Sequence, residues 1–192
     1  VMHQKLAHNI SNFGNPLFTI SVFAVIALFM TEEPRTALFA TLLIVGGIVI
    51  PILVKSYRGV QKGTYTNYDI SNKKQRQSWY LFPTLLLTVI TIILFVTHQS
   101  QPLRFGVLGA LMLFVLAQIV NIYIKTSLHV GFNTYLAFLV FPLSAVIGTC
   151  VLLFSIPLAW SRVVLKRHTW TEVVSGAALG VVVGLGLLWG LR

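Results

Sequence analysis

The chain has 192 residues, of which 56% are hydrophobic and only 9% charged, with a formal net charge of +10. Soluble domains carry roughly 25% charged residues, so this composition excludes a soluble globular domain; the apolar residues fall instead in repeated runs of about 20, one bilayer thickness each. The expected fold is a single all-α polytopic transmembrane bundle of six to seven membrane-crossing or membrane-embedded helices. The basic residues sit in short loops between apolar runs, where they set topology and meet lipid headgroups, so the expected partner is the lipid bilayer and not nucleic acid.

Residues 1–15 read as a polar tail in which His3 and His8 are solvated. A first span over about 16–30 ends at Thr31-Glu32-Glu33-Pro34-Arg35, because Pro34 cannot continue a helix. This run resembles a signal peptide behind Lys5, but no small-residue cleavage site follows it, so it is expected to be retained. Span 2, about 37–54, carries Gly46-Gly47, which allows close helix approach or a bend. The polar stretch 55–78 reads as a surface loop or a short interfacial helix, and Trp79 and Tyr80 read as an interfacial aromatic belt opening span 3.

Span 3 runs to about residue 96 and span 4 covers about 105–124. After the polar interruption Lys125-Thr126-Ser127-Leu128-His129, a short span 5 (130–141) stops at Pro142 and span 6 runs to about residue 160. Span 7, 173–191, contains Gly176-x-x-x-Gly180, a small-residue spacing for tight helix packing. The single Cys150 lies deep in an apolar run and reads as a packing residue; it can form no intrachain disulfide.

Each crossing reverses the side of the membrane. The connections after spans 2, 4 and 6 therefore share one face with the N-terminus, and they hold Arg76, His129 and His168. The convergence requires 130–160 to be two helices, since a single helix would send His168 to the opposite face. Of the 14 Lys and Arg residues, only Arg35, Arg104 and Arg192 fall on the other side; by the positive-inside rule the clustered face is cytoplasmic.

The stretch from Ser161 to Glu172 concentrates the chemistry. His168 and Glu172, four apart, can share one helical face, and a base oriented by a third group is the general device for activating a nucleophile. Thr169-x-x-Glu172 is also a capping box for the last span, and Ser127 is a candidate cap for span 5. Lys73, Lys74, Lys166 and Arg167 read as a solvated, headgroup-facing basic edge, and Asp69 as a group that orients a basic neighbour. His-x-x-x-Glu with a second His has the makings of a zinc site, but the surrounding cations repel a divalent ion, so no metal and no cofactor are expected.

In their order and spacing these residues resemble the type-2 phosphatidic acid phosphatase superfamily, integral-membrane lipid phosphatases related to vanadium haloperoxidases. The third signature of that family is Ser-Arg, five residues, His, three residues, Asp; here stand Ser161-Arg162, His168 and, in place of Asp, Glu172. The second signature, Pro-Ser-Gly-His, corresponds to Thr126-Ser127-Leu128-His129. The first, Lys, six residues, Arg-Pro, corresponds to Asp69 and Arg76-Gln77. Asp69, Lys73 and Arg76 followed by Lys125, Ser127 and His129 are similar to a variant branch in which Asp, three residues, a basic residue, two residues and Arg precede Lys-x-Ser-x-His. The resemblance covers about residues 55–185.

The resemblance implies a metal-independent lipid phosphate phosphatase. His168 would attack phosphorus to form a phosphohistidine, Glu172 would fix its ring, and His129 would act as general acid and later general base. Arg76, Arg162, Lys125, Lys73 and Ser127 would surround the phosphoryl oxygens. The substrate would be a polyprenyl phosphate or diphosphate, phosphatidylglycerol phosphate or phosphatidic acid, its tails left in the bilayer. The alternatives are a phosphoryl transferase on the same fold, or a non-catalytic protein that binds or transports a lipid phosphate.

Overall fold

The structure, a computed structural model, describes residues 2–70 and 72–191, without the side chain of Lys73. These residues form helices α1 (Met2–Phe13), α2 (Pro16–Thr31), α3 (Pro34–Gln61), α4 (Lys73–Val96), α5 (Gln101–Val120), α6 (Leu128–Val140), α7 (Ala145–Val164) and α8 (Trp170–Gly190), with no strand among the described residues. By length and composition five of them are long and apolar enough to cross a membrane, and α1 with α2, bent by 46°, makes a sixth candidate. An integral membrane protein follows from that inventory. The lipid-facing surface carries large apolar side chains such as Leu81, Leu85 and Ile156, as expected where the surrounding solvent is hydrocarbon.

The short helix α6 is the centre of the bundle. It touches α2, α5, α7 and α8, and every residue from Leu128 to Ala137 is buried. A helix apolar all round is covered on every side, and its few polar groups are satisfied by neighbouring helices. Asn133 Nδ2 donates to Val151 O at 2.8 Å and to Ser155 Oγ at 2.9 Å, and the Tyr135 hydroxyl donates to Gly106 O at 2.6 Å. Pro142 lies in the turn after α6, and Ser144 caps α7 by accepting from the Ile147 amide. The break into two helices is therefore as expected, and the connections after α3, α5 and α7 meet on one face.

Glycine sets how closely α8 approaches α6. A Cβ on Gly176 would lie 2.4 Å from the Ser127 carbonyl oxygen, and one on Gly180 would lie 2.5 Å from the Gly131 carbonyl oxygen. The Gly176-x-x-x-Gly180 spacing thus places the two backbones in direct contact. At Gly46-Gly47 the outcome is different. Residues Leu42–Val49 form a π-helical stretch within α3, immediately before Pro51, whose ring excludes the carbonyl four residues back; wider turns accommodate it without breaking the helix.

Several expectations are corrected. The polar tail is the amphipathic helix α1, which lies along α7 with Ala7 and Ser11 buried, while His3 and His8 are exposed. Helix α4 begins six residues before Trp79, so Trp79 and Tyr80 are no interfacial belt: Tyr80 is fully buried against Phe114, and the Trp79 indole donates to Ser56 Oγ at 3.2 Å. Cys150 is exposed on the outer surface of α7 and packs no core. The polar stretch is divided: α3 continues to Gln61 and α4 begins at Lys73, with the connection lying between them.

Replacing Gly176 with Ala forces α8 away from a backbone oxygen that cannot retreat, a cost of about 1–3 kcal/mol. The thermal midpoint of the protein in detergent is expected to fall for Gly176→Ala and not for Gly186→Ala, where a Cβ would meet nothing within 4 Å.

Candidate active site

The spacing from Arg162 to His168 is built by a helix end. After α7 the Arg167 amide donates to Arg162 O at 3.0 Å and the Lys166 amide to Val163 O at 2.9 Å, the two bonds of a Schellman motif. Its left-handed position is Lys166, at φ 54°, where glycine is the usual residue. The chain then turns directly into the cap of α8, so Arg162 and His168 return to the same place. Thr169 Oγ1 accepts from the Glu172 amide at 3.3 Å, and Glu172 Oε2 accepts from the Thr169 amide at 3.3 Å.

The same Glu172 Oε2 lies 2.7 Å from His168 Nδ1. The capping box and the histidine contact thus coexist on one oxygen. With Nδ1 facing a carboxylate, the other ring nitrogen, Nε2, is left to act. Burial, followed by the positive charges of Arg76, Arg162 and Lys125, pushes the His168 pKa down to about 2, which keeps the imidazole neutral at physiological pH.

The other motifs meet this one through the α6–α8 contact. The Ser127 amide donates to Glu172 O at 3.0 Å, and Lys125 Nζ donates to Arg167 O at 2.6 Å while standing 4.0 Å from Glu172 Oε2. Burial, set against attraction from Glu172 and reinforced by neighbouring cations, lowers the Lys125 pKa. Arg76 is buried and its Nη1 donates to Thr126 O at 2.8 Å. Ser127 stands at the N-cap of α6 but its side chain makes no capping bond. Among the described residues its buried Oγ has no hydrogen-bond partner, and neither does Arg162 Nε.

Asp69 sits at the middle of the cluster. Its Oδ2 accepts from Arg162 Nη1 at 2.9 Å and from Arg167 Nη1 at 3.1 Å, and its Oδ1 lies 3.8 Å from His129 Nε2. Burial alone would raise its pKa, but His129, Arg162 and Arg167 together outweigh burial and bring it down to about 2. Arg162, fully buried, gives Nη1 also to Ser11 Oγ of α1 at 2.7 Å. Of the residues singled out from sequence, Arg76, Lys125, Ser127, His129, Arg162, His168 and Glu172 are brought together; the side chain of Lys73 lies outside the described residues. Arg167, read as a solvated edge, is instead paired with Asp69. Ser11 carries no signal in the sequence, where the segment before α2 reads as a polar tail.

Two spaces flank the cluster. An apolar cavity of ≈ 550 Å³ has Asp69, Arg76 and His129 in its wall, and a shallow pocket of ≈ 490 Å³ is lined by Lys125, Lys166, Arg167, His168 and Glu172. They share no lining residue: His129 lines the first and His168 the second. Among the described residues no group of three or more His, Cys, Asp or Glu side chains is placed to hold a metal ion. No family model, curated protein or solved structure matches this chain.

Lys166→Gly relieves the left-handed strain and is expected to stabilise the protein by about 1 kcal/mol, read as a raised thermal midpoint. His168 binds its proton far less readily folded than unfolded, where its pKa is about 6.5. Its contribution to stability is therefore complete above that pH and declines as pH falls below it, by up to about 1.4 kcal/mol per pH unit. Thermal midpoints measured from about pH 8 down to about pH 5 should fall less steeply for His168→Asn than for the wild type.

Proposed function

We propose that this protein is a membrane lipid phosphate phosphatase that works through a phosphohistidine on His168, without a metal. The observation that carries the reading is the contact of His168 Nδ1 with Glu172 Oε2 at 2.7 Å inside a ring of cations. A neutral imidazole held at Nδ1 presents Nε2 as a nucleophile, and cations around the site stabilise the charge that develops on phosphoryl oxygens in flight. The unpartnered donors Ser127 Oγ and Arg162 Nε support the same conclusion, since buried polar groups ordinarily have a partner and an anion oxygen would supply one.

In the first step His129 starts as an imidazolium paired with Asp69 across 3.8 Å; His168 Nε2 attacks phosphorus, the bond from phosphorus to the lipid oxygen breaks, and His129 gives that oxygen its proton. In the second, His129 takes a proton from water as the water oxygen attacks phosphorus. The phosphorus–nitrogen bond breaks, phosphate leaves, and His168 returns neutral. Glu172 holds the Nδ1 proton throughout and stabilises the positive charge that the ring carries as phosphohistidine forms. Arg76, Arg162, Lys125 and Ser127 are the groups available to bind the phosphate, and Lys73 is a further candidate. The lipid phosphate is a polyprenyl phosphate or diphosphate, phosphatidylglycerol phosphate or phosphatidic acid. The basic loops support a site facing the cytoplasm; of the three basic residues assigned to the opposite side, Arg192 lies outside the described residues.

Purified protein in detergent is expected to release phosphate from lipid phosphates, to be inhibited by vanadate and to be insensitive to chelators. His168→Ala should lower the rate by about 10⁴-fold or more while lipid phosphate still binds. Unchanged release by His168→Ala would overturn the mechanism, and binding without any turnover by the wild type would favour a non-catalytic lipid-phosphate carrier.

A further inference from the structure

Resting on the phosphatase reading, we infer that the substrate's hydrocarbon tail does not stay in the bilayer: one long chain threads the apolar cavity inside the bundle, from the catalytic cluster towards the opposite membrane surface. The cavity has a long apolar body between two polar ends, and only one of them belongs to the cationic cluster. Asp69, Arg76 and His129 stand at that end; Thr31, Glu32 and Leu143 line the far end, and between them the wall is almost wholly aliphatic and aromatic.

Its length follows from the helices that line it. Lining residues run along α6 and its flanking turn from Leu128 to Leu143, which at ~1.5 Å per residue is on the order of 20 Å. That exceeds half of the ~30 Å hydrocarbon core, so the space suits a chain longer than the depth of one leaflet. Helix α3 lines the space with Ile44, Ile48 and Val49 of its π-helical stretch.

The reaction geometry gives the direction. Attacking and leaving atoms lie roughly in line across phosphorus. His168 faces the shallow polar pocket, and His129, which protonates the leaving lipid oxygen, faces the apolar cavity. The leaving group, and therefore the tail attached to it, belongs on the cavity side. A way in from the bilayer is marked by Leu53, Tyr57 and Tyr68, which line the cavity yet are 48%, 56% and 58% exposed. The two tyrosine rings stack there, centroids 6.3 Å apart.

The test uses hexadecyl phosphate carrying a diazirine on its terminal carbon, photolysed with the full-length protein in lipid nanodiscs. Threading predicts covalent label at the far end of the cavity, on the turns holding Thr31-Glu32 or Pro142-Leu143. Label on the outward face of α4, at Leu85 or Ile92, or no label within the cavity, would overturn it. Hydrolysis of the same probe is scored separately. Far-end label without turnover keeps the tail site and rejects the phosphatase, whereas turnover with outward label does the reverse. A second measurement needs no photochemistry. Ala24→Phe and Ala110→Phe, halfway along the cavity, should lower kcat/KM for hexadecyl phosphate relative to octyl phosphate by roughly tenfold or more, while an unchanged ratio counts against threading.

Discussion

The backbone contact between α6 and α8 is the constraint on which the rest of this molecule depends. Two glycines, Gly176 and Gly180, leave no side chain between the helices, so the carbonyls of Ser127 and Gly131 lie where a Cβ would otherwise be. In hydrocarbon there is no hydrophobic drive to bring helices together, and close van der Waals packing does the work instead. Because Ser127 also donates its amide to Glu172 O, the contact locks the start of α6 to the first turn of α8. His129 and His168 are then held by backbone rather than by long flexible side chains, as a site that must keep atoms within a fraction of an ångström requires.

The charge distribution is the second constraint. A buried guanidinium without a partner is costly in a low-dielectric interior, and Arg162 is 1% exposed. Its partners come from two separate parts of the chain, Asp69 before α4 and Ser11 in α1. One carboxylate is shared among Arg162, Arg167 and His129, so the cluster remains strongly positive even with every described pair made. Burial, and after it that residual positive charge, lowers the proton affinity of His168 and Lys125, and the charge is the condition under which an anion becomes a favourable guest.

Much of this was legible in the amino-acid order. Apolar runs gave the spans, Pro142 separated α6 from α7, and counting crossings put three loops on one face, since a bilayer turns sequence parity into geometry. The close approach at Gly176 and the capping box at Thr169 could be read for the same reason: both depend on residues within one turn of each other. What could not be read depends on partners distant in sequence. Helix α1 has too few apolar residues to declare itself, and is ordered by Ile10 packing near Val130 and Leu158. Trp79 and Tyr80 look like interfacial residues until α3 supplies Ser56 and α5 supplies Phe114. Arg167 is one of many loop cations, and only the fold shows that Asp69, 98 residues away, is beside it. The outward orientation of Cys150 likewise depends on which face of α7 the neighbouring helices cover.

On the proposed reading, the arrangement also resolves a tension in any enzyme of lipid phosphates, which must place a dianion and a hydrocarbon chain on adjoining atoms. A site wholly in water would expose the chain, and one wholly in lipid would strand the charge. Here the boundary is built from side chains: Asp69, Arg76 and His129 belong to the cationic cluster and to the cavity wall at once. They cap an apolar space to whose wall the π-helical stretch of α3 contributes Ile44, Ile48 and Val49. Polarity therefore changes along the axis of the bundle and not only across its surface, and His129 and His168 line the two sides of the step.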